Sequence, residues 1–276
     1  MSVSISQLSS THLSAGYPGR TILQDLSLDL PAGQISALIG ANGSGKSTLL
    51  KTLAGLLPVQ GGSICLNGKD ISRLSTRDLA RQLALLPQDS SSPEGLCVRE
   101  LVSLGRFPYR QRFGGLSADD QAVINRSLQQ TGLLDLAQTD LAELSGGQRQ
   151  RAWIAMALAQ QTGLLFLDEP TTYLDIAHQL EVLQLLRQLN QASGITIVMV
   201  LHDLNQAVQF SDYLIALKSG RIYDSGSSKQ LLTPDLVQAV FGVAAVILPH
   251  PVTGVPVCLP YAPKPAAVAG SGPGTA

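Results

Sequence analysis

Hydrophobic and polar positions follow two different periods along the chain. Short apolar runs bounded by turn residues, at residues 3–8, 22–30 and 63–66, predict strands. Residues 35–39 form a mostly apolar run that leads into a glycine-rich loop and then into the helical pattern of residues 46–57. This order predicts a buried strand, a loop and a helix in series.

The middle of the chain, from residue 89 to about 161, has few strand-like runs. Its apolar residues recur at helical spacing, as in Ile124, Leu128 and Leu133. Ser117 followed by Asp120 is typical of a helix N-terminal capping box. We therefore expect a helical insertion over this part of the chain.

Strand-like runs return after the insertion, at residues 164–167, 195–201 and 213–217. Residues 176–192, between the first two runs, have a helical pattern. Alternating strands and helices are typical of a parallel sheet covered by helices, so the chain is predicted to be an α/β protein.

Composition narrows the class of protein further. A chain of 276 residues is long enough for one or two domains with a substantial core. Charged residues make up 14%, below the usual value of about 25%. No run approaches the roughly 18–20 apolar residues that a membrane-spanning helix needs. The first ten residues lack the basic and apolar regions of a secretory signal, so we expect a cytoplasmic location.

Charge and cysteine content exclude other classes. The net charge of −1 supplies no global field that would attract nucleic acid, so no nucleic-acid partner is expected. The three cysteines, Cys65, Cys97 and Cys258, are far apart and form no CxxC pair. A disulfide framework or a zinc site is therefore not predicted.

One short stretch carries the strongest chemical signal. It has the spacing GxxxxGK[ST] and comprises Gly40, Ala41, Asn42, Gly43, Ser44, Gly45, Lys46, Ser47 and Thr48. The glycines let backbone N–H groups converge on phosphate oxygens, and the following helix presents its positive N-terminus. We expect Lys46 to reach the β and γ phosphates, Ser47 to bind Mg²⁺ and Thr48 to lie near the α phosphate.

Two adjacent acids follow the apolar run at residues 164–167. Ligands bind at the carboxyl ends of strands in such sheets, and a P-loop needs a carboxylate for its metal. Asp168 is therefore predicted to bind Mg²⁺, directly or through water, and Glu169 to be the general base for hydrolysis. A solvated turn is the alternative, but it is less favoured beside a P-loop.

A further stretch resembles the signature motif of the ATP-binding cassette family. It consists of Leu144, Ser145, Gly146, Gly147 and Gln148. In that family the motif begins a helix and grips the γ phosphate of ATP bound by the opposite subunit. As at the P-loop, the positive end of a helix dipole and its backbone N–H groups would bind the phosphate. The resemblance covers nearly the whole folded chain.

The resemblance implies an α/β fold with a P-loop NTPase core of the RecA-like type. An antiparallel β subdomain and an inserted α-helical subdomain complete it. We expect one ATPase domain over residues 1–261, with its core at 1–88 and 162–261 and its helical subdomain at 89–161. Residues 262–276 are rich in Pro, Gly and Ala and are expected to be a disordered tail.

Four more residues resemble functional positions of the family. Tyr17 resembles the aromatic residue that stacks on adenine, and Gln88 the glutamine that senses Mg²⁺ and the γ phosphate. Asp175 falls in the loop that crosses the dimer, and His202 resembles the switch histidine. The alternatives are a turn tyrosine, a loop glutamine, a helix N-cap and a structural histidine. Tyr173 departs from the small residue or histidine that many relatives carry there.

The resemblance also implies the partners and the site of action. ATP and Mg²⁺ would bind a head-to-tail homodimer with two composite sites, each closed by the signature motif of the other copy. The chain would work with integral membrane permease subunits and, indirectly, with a periplasmic or lipoprotein substrate-binding protein. It would lie peripherally on the cytoplasmic face of the inner membrane.

Finer features resemble the importers of iron-siderophores, vitamin B12 and haem, and are closest to the ferric-siderophore branch. They lie at residues 104–110, 149–156 and 247–251. The predicted function is an ATPase subunit that powers import of an iron-siderophore complex. Import of vitamin B12 or haem, or a soluble assembly or regulatory ATPase, remains the alternative. Phe107 and Tyr109 are candidates for docking the permease, unless both rings pack inside the insertion.

Overall fold

The computed structural model describes residues 6–88, 95–110 and 115–262. Within these ranges, sheets and helices alternate along most of the chain. The predicted tail at 262–276 lies outside the described residues apart from Ala262, as do residues 3–5 of the first predicted strand.

The strands that the structure describes are, in chain order, β1 (Leu8–Tyr17), β2 (Arg20–Asp29), β3 (Ile35–Ile39), β4 (Val59–Leu66), β5 (Lys69–Asp70), β6 (Leu83–Leu86), β7 (Leu164–Asp168), β8 (Thr196–Val200), β9 (Tyr213–Lys218), β10 (Arg221–Ser227), β11 (Ala244–Pro249) and β12 (Pro256–Tyr261).

The α-helices of the same ranges are α1 (Lys46–Leu53), α2 (Thr76–Ala80), α3 (Val98–Leu104), α4 (Ala118–Gln130), α5 (Gly146–Ala159), α6 (Ile176–Ser193), α7 (Leu204–Phe210), α8 (Ser228–Leu231) and α9 (Pro234–Phe241). Short 3₁₀ turns supplement them, among them Phe107–Tyr109 and Leu141–Glu143.

The central sheet has six strands in the order β10-β9-β3-β8-β7-β6. Its pairs are parallel from β9 through β6, and β10 is antiparallel to β9 at one edge. Every residue of β3, β7 and β8 is buried, which explains why these strands are mostly apolar rather than alternating. The predicted α/β class is confirmed, and β10 is an antiparallel addition that the sequence did not indicate.

Alternate residues of the central strands pack into two separate hydrophobic cores. Ile35, Ala37 and Ile39 pack with the helices on one face, including α6, α7 and α9. Leu38 points to the other face, where α1 and the second sheet lie. This period of two is the geometry of a strand that is covered on both faces.

The second sheet is antiparallel, in the order β2-β1-β4-β5. Its strand β1 begins at Leu8, so Ser6 and Gln7 of the predicted strand at residues 3–8 are not part of a strand. The pairing of β1 has register shifts, and His12 lies at φ 49° within it. These irregularities interrupt the polar-apolar alternation by which a strand is recognised in sequence.

Helices α3, α4 and α5 enclose a third core, which includes Val98, Leu101, Ile124 and Leu128. The capping box predicted at Ser117 is confirmed: its Oγ accepts from the Asp120 N–H at 3.1 Å, and Asp120 Oδ2 accepts from the Ser117 N–H at 3.0 Å. The predicted subdomain boundaries at 88/89 and 161/162 stay a prediction.

Within this helical region, a buried ion pair joins the segment after α3 to the first turn of α4 and to the end of α5. Arg106 Nε donates to Asp120 Oδ1 at 2.8 Å, and Arg106 Nη1 donates to the carbonyl of Ala159 at 2.8 Å. The guanidinium also stacks on the Tyr109 ring, 4.0 Å from its centroid. Burial raises the pKa of Asp120, but hydrogen bonds from Arg106 and Ser117 outweigh it and lower the pKa to about 2.

The last two described strands form a hairpin that packs on the helical face through Ala245 and Cys258. Asn205 on α7 holds this hairpin, since its Oδ1 accepts from the Cys258 N–H at 2.7 Å. None of the helices in the described ranges combines the length and apolar character that crossing a bilayer requires.

We predict that Asp120→Ala destabilises the protein by about 3 kcal/mol, because it leaves the buried Arg106 guanidinium without its carboxylate. Urea unfolding at neutral pH measures the difference. Since the folded pKa of Asp120 is depressed to about 2 from 3.8, its contribution is present above 3.8 and is lost as the pH falls through 2. The gap between variant and wild type should therefore close in acid.

Asp119→Ala is the matched control, because Asp119 is exposed in the same first turn of α4. An equal loss of stability in both variants would contradict the importance of the ion pair.

Candidate active site

The phosphate loop connects the buried strand β3 to the N-terminus of α1. Gly45 precedes the helix at φ +106°, and a Cβ there would lie 2.9 Å from Leu23 Cδ2. A side chain is therefore excluded by both conformation and space. The strand, loop and helix predicted around Lys46 are confirmed, although the helix ends at Leu53 rather than at residue 57.

Lys46 lies under the loop and is buried. Its Nζ donates to the carbonyls of Gly40 at 2.8 Å and Ala41 at 3.1 Å. Burial lowers the pKa of Lys46, and the nearby carboxylates of Glu169 and Asp168 oppose that effect. The ammonium group is therefore a partly desolvated cation that stronger anionic acceptors, such as phosphate oxygens, can recruit.

Asp168 ends strand β7 and is 2% exposed. Its Oδ1 accepts from Ser47 Oγ at 2.8 Å, whereas its Oδ2 is buried with no hydrogen-bond partner among the described residues. Burial raises the pKa of Asp168, with the Ser47 hydrogen bond acting in the opposite direction. A buried, half-satisfied carboxylate beside a hydroxyl is a donor set that suits a hard cation.

Glu169 follows at once and is held from three sides. His202 Nε2 lies 2.6 Å from Oε1, and Gln88 Nε2 donates to Oε2 at 2.6 Å. Thr172 Oγ1 also donates to Oε2, at 3.0 Å. Glu169 itself adopts φ 55°, a left-handed conformation that is uncommon without glycine. Its surroundings therefore fix both the backbone and the carboxylate.

Lys46, Glu169 and the side chains that hold Glu169 from β6 and β8 border an open cleft of about 510 Å³, whereas Asp168 lies behind Ser47 and is not part of its lining. Its lining comprises Arg20, Ile22, Asn42, Gly43, Gly45, Lys46, Ser47, Thr48, Gln88, Glu169 and His202. Most of the residues predicted to bind nucleotide or to assist hydrolysis are therefore brought together. Arg20 and Ile22 carried no signal in the sequence and reach the cleft because β2 runs beside the loop.

Not every predicted residue lines the cleft. Tyr17 lies at the end of β1, is 43% exposed and is absent from the lining. Ser44 is buried, and its Oγ has no partner among the described residues. Gly40 and Ala41 contribute through the carbonyls that hold Lys46.

The signature residues lie apart from the cleft lining. Ser145 is the N-cap of α5 and forms a capping box with Gln148, whose backbone N–H donates to Ser145 Oγ at 3.2 Å. Ser145 and Gly146 are exposed, whereas Leu144 and Gly147 are buried. The exposed N-terminus of α5 presents the positive end of the helix dipole to the surface.

A histidine joins the signature helix to the loop that contains Asp175. Asp175 is the N-cap of α6, and its Oδ1 accepts from the backbone N–H of His178 at 2.9 Å. The Nδ1 atom of His178 lies 2.8 Å from the same oxygen. On its other side, His178 faces Gly147, where a Cβ would lie 2.5 Å from His178 Cδ2. His178 belongs to no motif recognised in the sequence, and the structure gives it a defined packing partner in Gly147.

The fold and the site together define a P-loop ATPase in which the carboxylate of Glu169, beside the cleft, is held by a glutamine and a histidine. More specifically, the chain belongs to the ABC transporter family, whose sequence pattern matches residues 23–172. The family predicted from the sequence, the P-loop NTPase fold and the class of transport ATPase are confirmed, and ATP is the nucleotide that this family binds.

Known proteins resemble the chain over almost its whole length. It is 51% identical to the iron(3+)-hydroxamate import ATP-binding protein of Bacillus subtilis, over 93% of this chain and 96% of that protein. It is 42% identical to the ferric enterobactin transport ATP-binding protein of Escherichia coli, over 94% of this chain and 96% of that protein.

A solved structure gives the same picture. The chain superposes on a metal-chelate type ABC transporter in an inward-facing conformation with a TM-score of 0.81 and 31% identity. The match covers 94% of this chain and 98% of that one. The likeness therefore extends beyond the P-loop core to the helical region and the C-terminal hairpin.

We predict that Gly147→Ala displaces the N-terminus of α5 or α6, because the new methyl group would overlap His178. The expected result is a loss of about 1–3 kcal/mol in the free energy of unfolding. In the double variant with His178→Ala the overlapping ring is gone. Its free energy of unfolding should therefore be close to that of His178→Ala alone. Additive losses in the double variant would contradict the contact.

Proposed function

We propose that this chain is the ATP-hydrolysing subunit that powers import of an iron-siderophore complex through a separate membrane permease. The motor part rests on one observation: Glu169 borders the P-loop cleft with both carboxylate oxygens held by polar side chains. The cargo part rests on the two curated relatives, whose names specify a hydroxamate and enterobactin. Because these siderophores differ, we propose the class of cargo and no single member of it.

The described residues fit a bound Mg²⁺. The unpartnered, buried Oδ2 of Asp168 and the hydroxyl of Ser47 are oxygen ligands of the kind that Mg²⁺ prefers. The side-chain oxygen of Gln88 is the third proposed ligand, since its nitrogen donates to Glu169. When bound, the ion would neutralise charge that develops on the β and γ phosphates.

In the proposed reaction, Glu169 accepts a proton from the water that attacks the γ phosphate. In the present arrangement, donors occupy both carboxylate oxygens, from His202 on one side and from Gln88 and Thr172 on the other. The γ phosphate of ATP offers His202 and Gln88 a more highly charged acceptor. Transfer of these two donors to the phosphate would free Glu169 to bind the attacking water.

A head-to-tail homodimer would complete the site. The signature residues lie outside the cleft of their own chain, and Ser145 and Gly146 are exposed at the N-terminus of α5. A helix N-terminus with exposed N–H groups suits a phosphate, so we propose that it closes ATP bound on the partner's P-loop. The 91% exposure of Tyr173 and the exposure of Asp175 support a partner surface at this loop as well.

The permease would dock beside Gln88. An apolar groove of about 760 Å³ runs between the two sheets and the helical region, lined in part by Leu57, Leu79 and Pro87. Near it, Phe107 is 73% exposed, whereas Tyr109 donates its hydroxyl to the Gln160 carbonyl at 2.9 Å. We therefore keep Phe107 as a docking candidate and assign Tyr109 to packing.

Docking of this kind would hold the chain peripherally on the cytoplasmic face of the inner membrane. A periplasmic or lipoprotein binding protein would deliver the cargo to the permease from the other side. Because Pro87 and Gln88 are adjacent, movement of a docked permease segment would reach the donor that holds Glu169.

Uptake by intact cells tests the proposed function. In the host from which the gene for this chain has been deleted, the wild-type gene should restore uptake of radiolabelled iron supplied as a ferric siderophore. Glu169→Gln should not restore it. Restored uptake of cobalamin or haem instead would favour the other importers, and no transport defect in the deletion strain would favour a soluble ATPase.

Purified Glu169→Gln protein gives a second prediction. It should bind ATP normally, lose turnover by about 10²–10⁴-fold because the proton acceptor is gone, and accumulate a closed dimer. A phosphate-release assay measures turnover, and size-exclusion chromatography with ATP measures the closed dimer. Glu181→Gln, at an exposed position of α6, is the control. Normal ATPase activity of Glu169→Gln would refute the assignment of the base.

A further inference from the structure

The side chain of Gln179, in the first turns of α6, has all its polar atoms engaged. Its Nε2 donates to the carbonyl of Leu174 at 3.0 Å and to that of Thr171 at 3.3 Å. Its Oε1 accepts from Gln206 Nε2 at 2.7 Å. One amide therefore holds two carbonyls of the loop after Glu169 and is itself bonded to a different helix.

That helix is α7, which begins directly after the histidine in contact with Glu169. Asp203 is its N-cap, and Asp203 Oδ1 accepts from the backbone N–H of Gln206 at 2.9 Å. Gln206 is half-buried and presents its side chain to Gln179. The turn at His202 is thereby linked through Gln206 to the loop at residues 170–175.

The loop needs such support. Glu169 and Tyr173 adopt φ 55° and φ 65°, left-handed conformations that cost free energy for residues other than glycine. Tyr173 is 91% exposed, so its own side chain does little to hold it. The hydrogen bonds from Gln179 to Thr171 and Leu174 hold the loop on both sides of Tyr173.

We propose that Gln179 and Gln206 are a positioning pair that holds the turn at His202 in a fixed position relative to the carboxylate of Glu169. The inference rests on the proposed function, in which His202 and Glu169 assist hydrolysis. The direct contact between His202 and Glu169 is the one that the γ phosphate would replace. Once His202 turns to the phosphate, the link through Gln206, Gln179 and the loop still joins the two groups.

The pair is therefore expected to matter most after ATP has bound. Its loss should lower kcat and leave KM for ATP nearly unchanged, because neither glutamine lines the cleft. Misplacement of a reacting group by 1 Å lowers the rate about 100-fold. A smaller displacement of His202 relative to Glu169 should therefore lower kcat roughly five- to tenfold.

Three substitutions at Gln206 distinguish the effect of losing the hydrogen bond from the effect of changing the shape of the side chain. Gln206→Leu and Gln206→Glu each remove the donor to Gln179, one without charge and one with charge. Gln206→Lys keeps a donor at the end of a side chain that reaches at least as far. Gln188→Glu, on an exposed part of α6, is the control for added negative charge.

We expect kcat to fall in the first two variants, KM to stay within about twofold of wild type, and the lysine variant to recover most of kcat. The melting temperature should stay close to that of wild type. Wild-type kcat in Gln206→Leu and Gln206→Glu would overturn the proposal. So would a loss in all three variants with a lower melting temperature, which indicates a merely structural role.

Glu169→Gln, assayed in parallel, separates this proposal from the proposed function. If Glu169→Gln is inactive and Gln206→Leu is normal, the positioning pair alone is refuted. If Glu169→Gln turns over ATP normally, the base assignment is refuted, and the role of the pair with it.

Discussion

The carboxylate of Glu169 is the point on which the described elements converge. It follows β7, and its oxygens accept hydrogen bonds from Gln88 after β6 and from Thr172 in the next loop, with His202 after β8 in contact. Because β6, β7 and β8 are adjacent parallel strands, their carboxyl ends meet at one edge of the sheet. The sheet order alone therefore brings together residues that are far apart in the sequence. A substitution that tilts any one of these strands would move a group that contacts the carboxylate.

The same edge explains how distant surfaces can affect hydrolysis. Gln88 follows Pro87, which lines the apolar groove beside the helical region, so a partner in that groove would lie one residue from a donor to Glu169. On the opposite side, the loop after Glu169 leads to Asp175 and, through His178, to the buried Gly147 of the signature helix. A membrane partner and a second copy of the chain would thus act on one carboxylate from two directions.

Much of this arrangement could be predicted from the sequence, since short motifs with fixed chemistry carry it. Asp168 and Glu169 lie at the carboxyl end of one buried apolar strand, and Lys46 lies after the loop that follows another. Such positions place a residue at the carboxyl edge of the sheet. Pairings between half-buried polar side chains could not be predicted. Gln179 and Gln206 are ordinary helix residues in sequence, and Arg20 reaches the cleft through a hairpin whose β1 strand is irregular.

We propose that this chain hydrolyses ATP for a membrane partner rather than for a soluble one. The most direct measurement compares ATP turnover by the purified chain with turnover after assembly with its permease in lipid vesicles that contain the binding protein and ferric siderophore. We expect the chain to co-purify with the permease from membranes, and we expect assembly to stimulate turnover. Turnover that is insensitive to the membrane partner, with no co-purification, would contradict it.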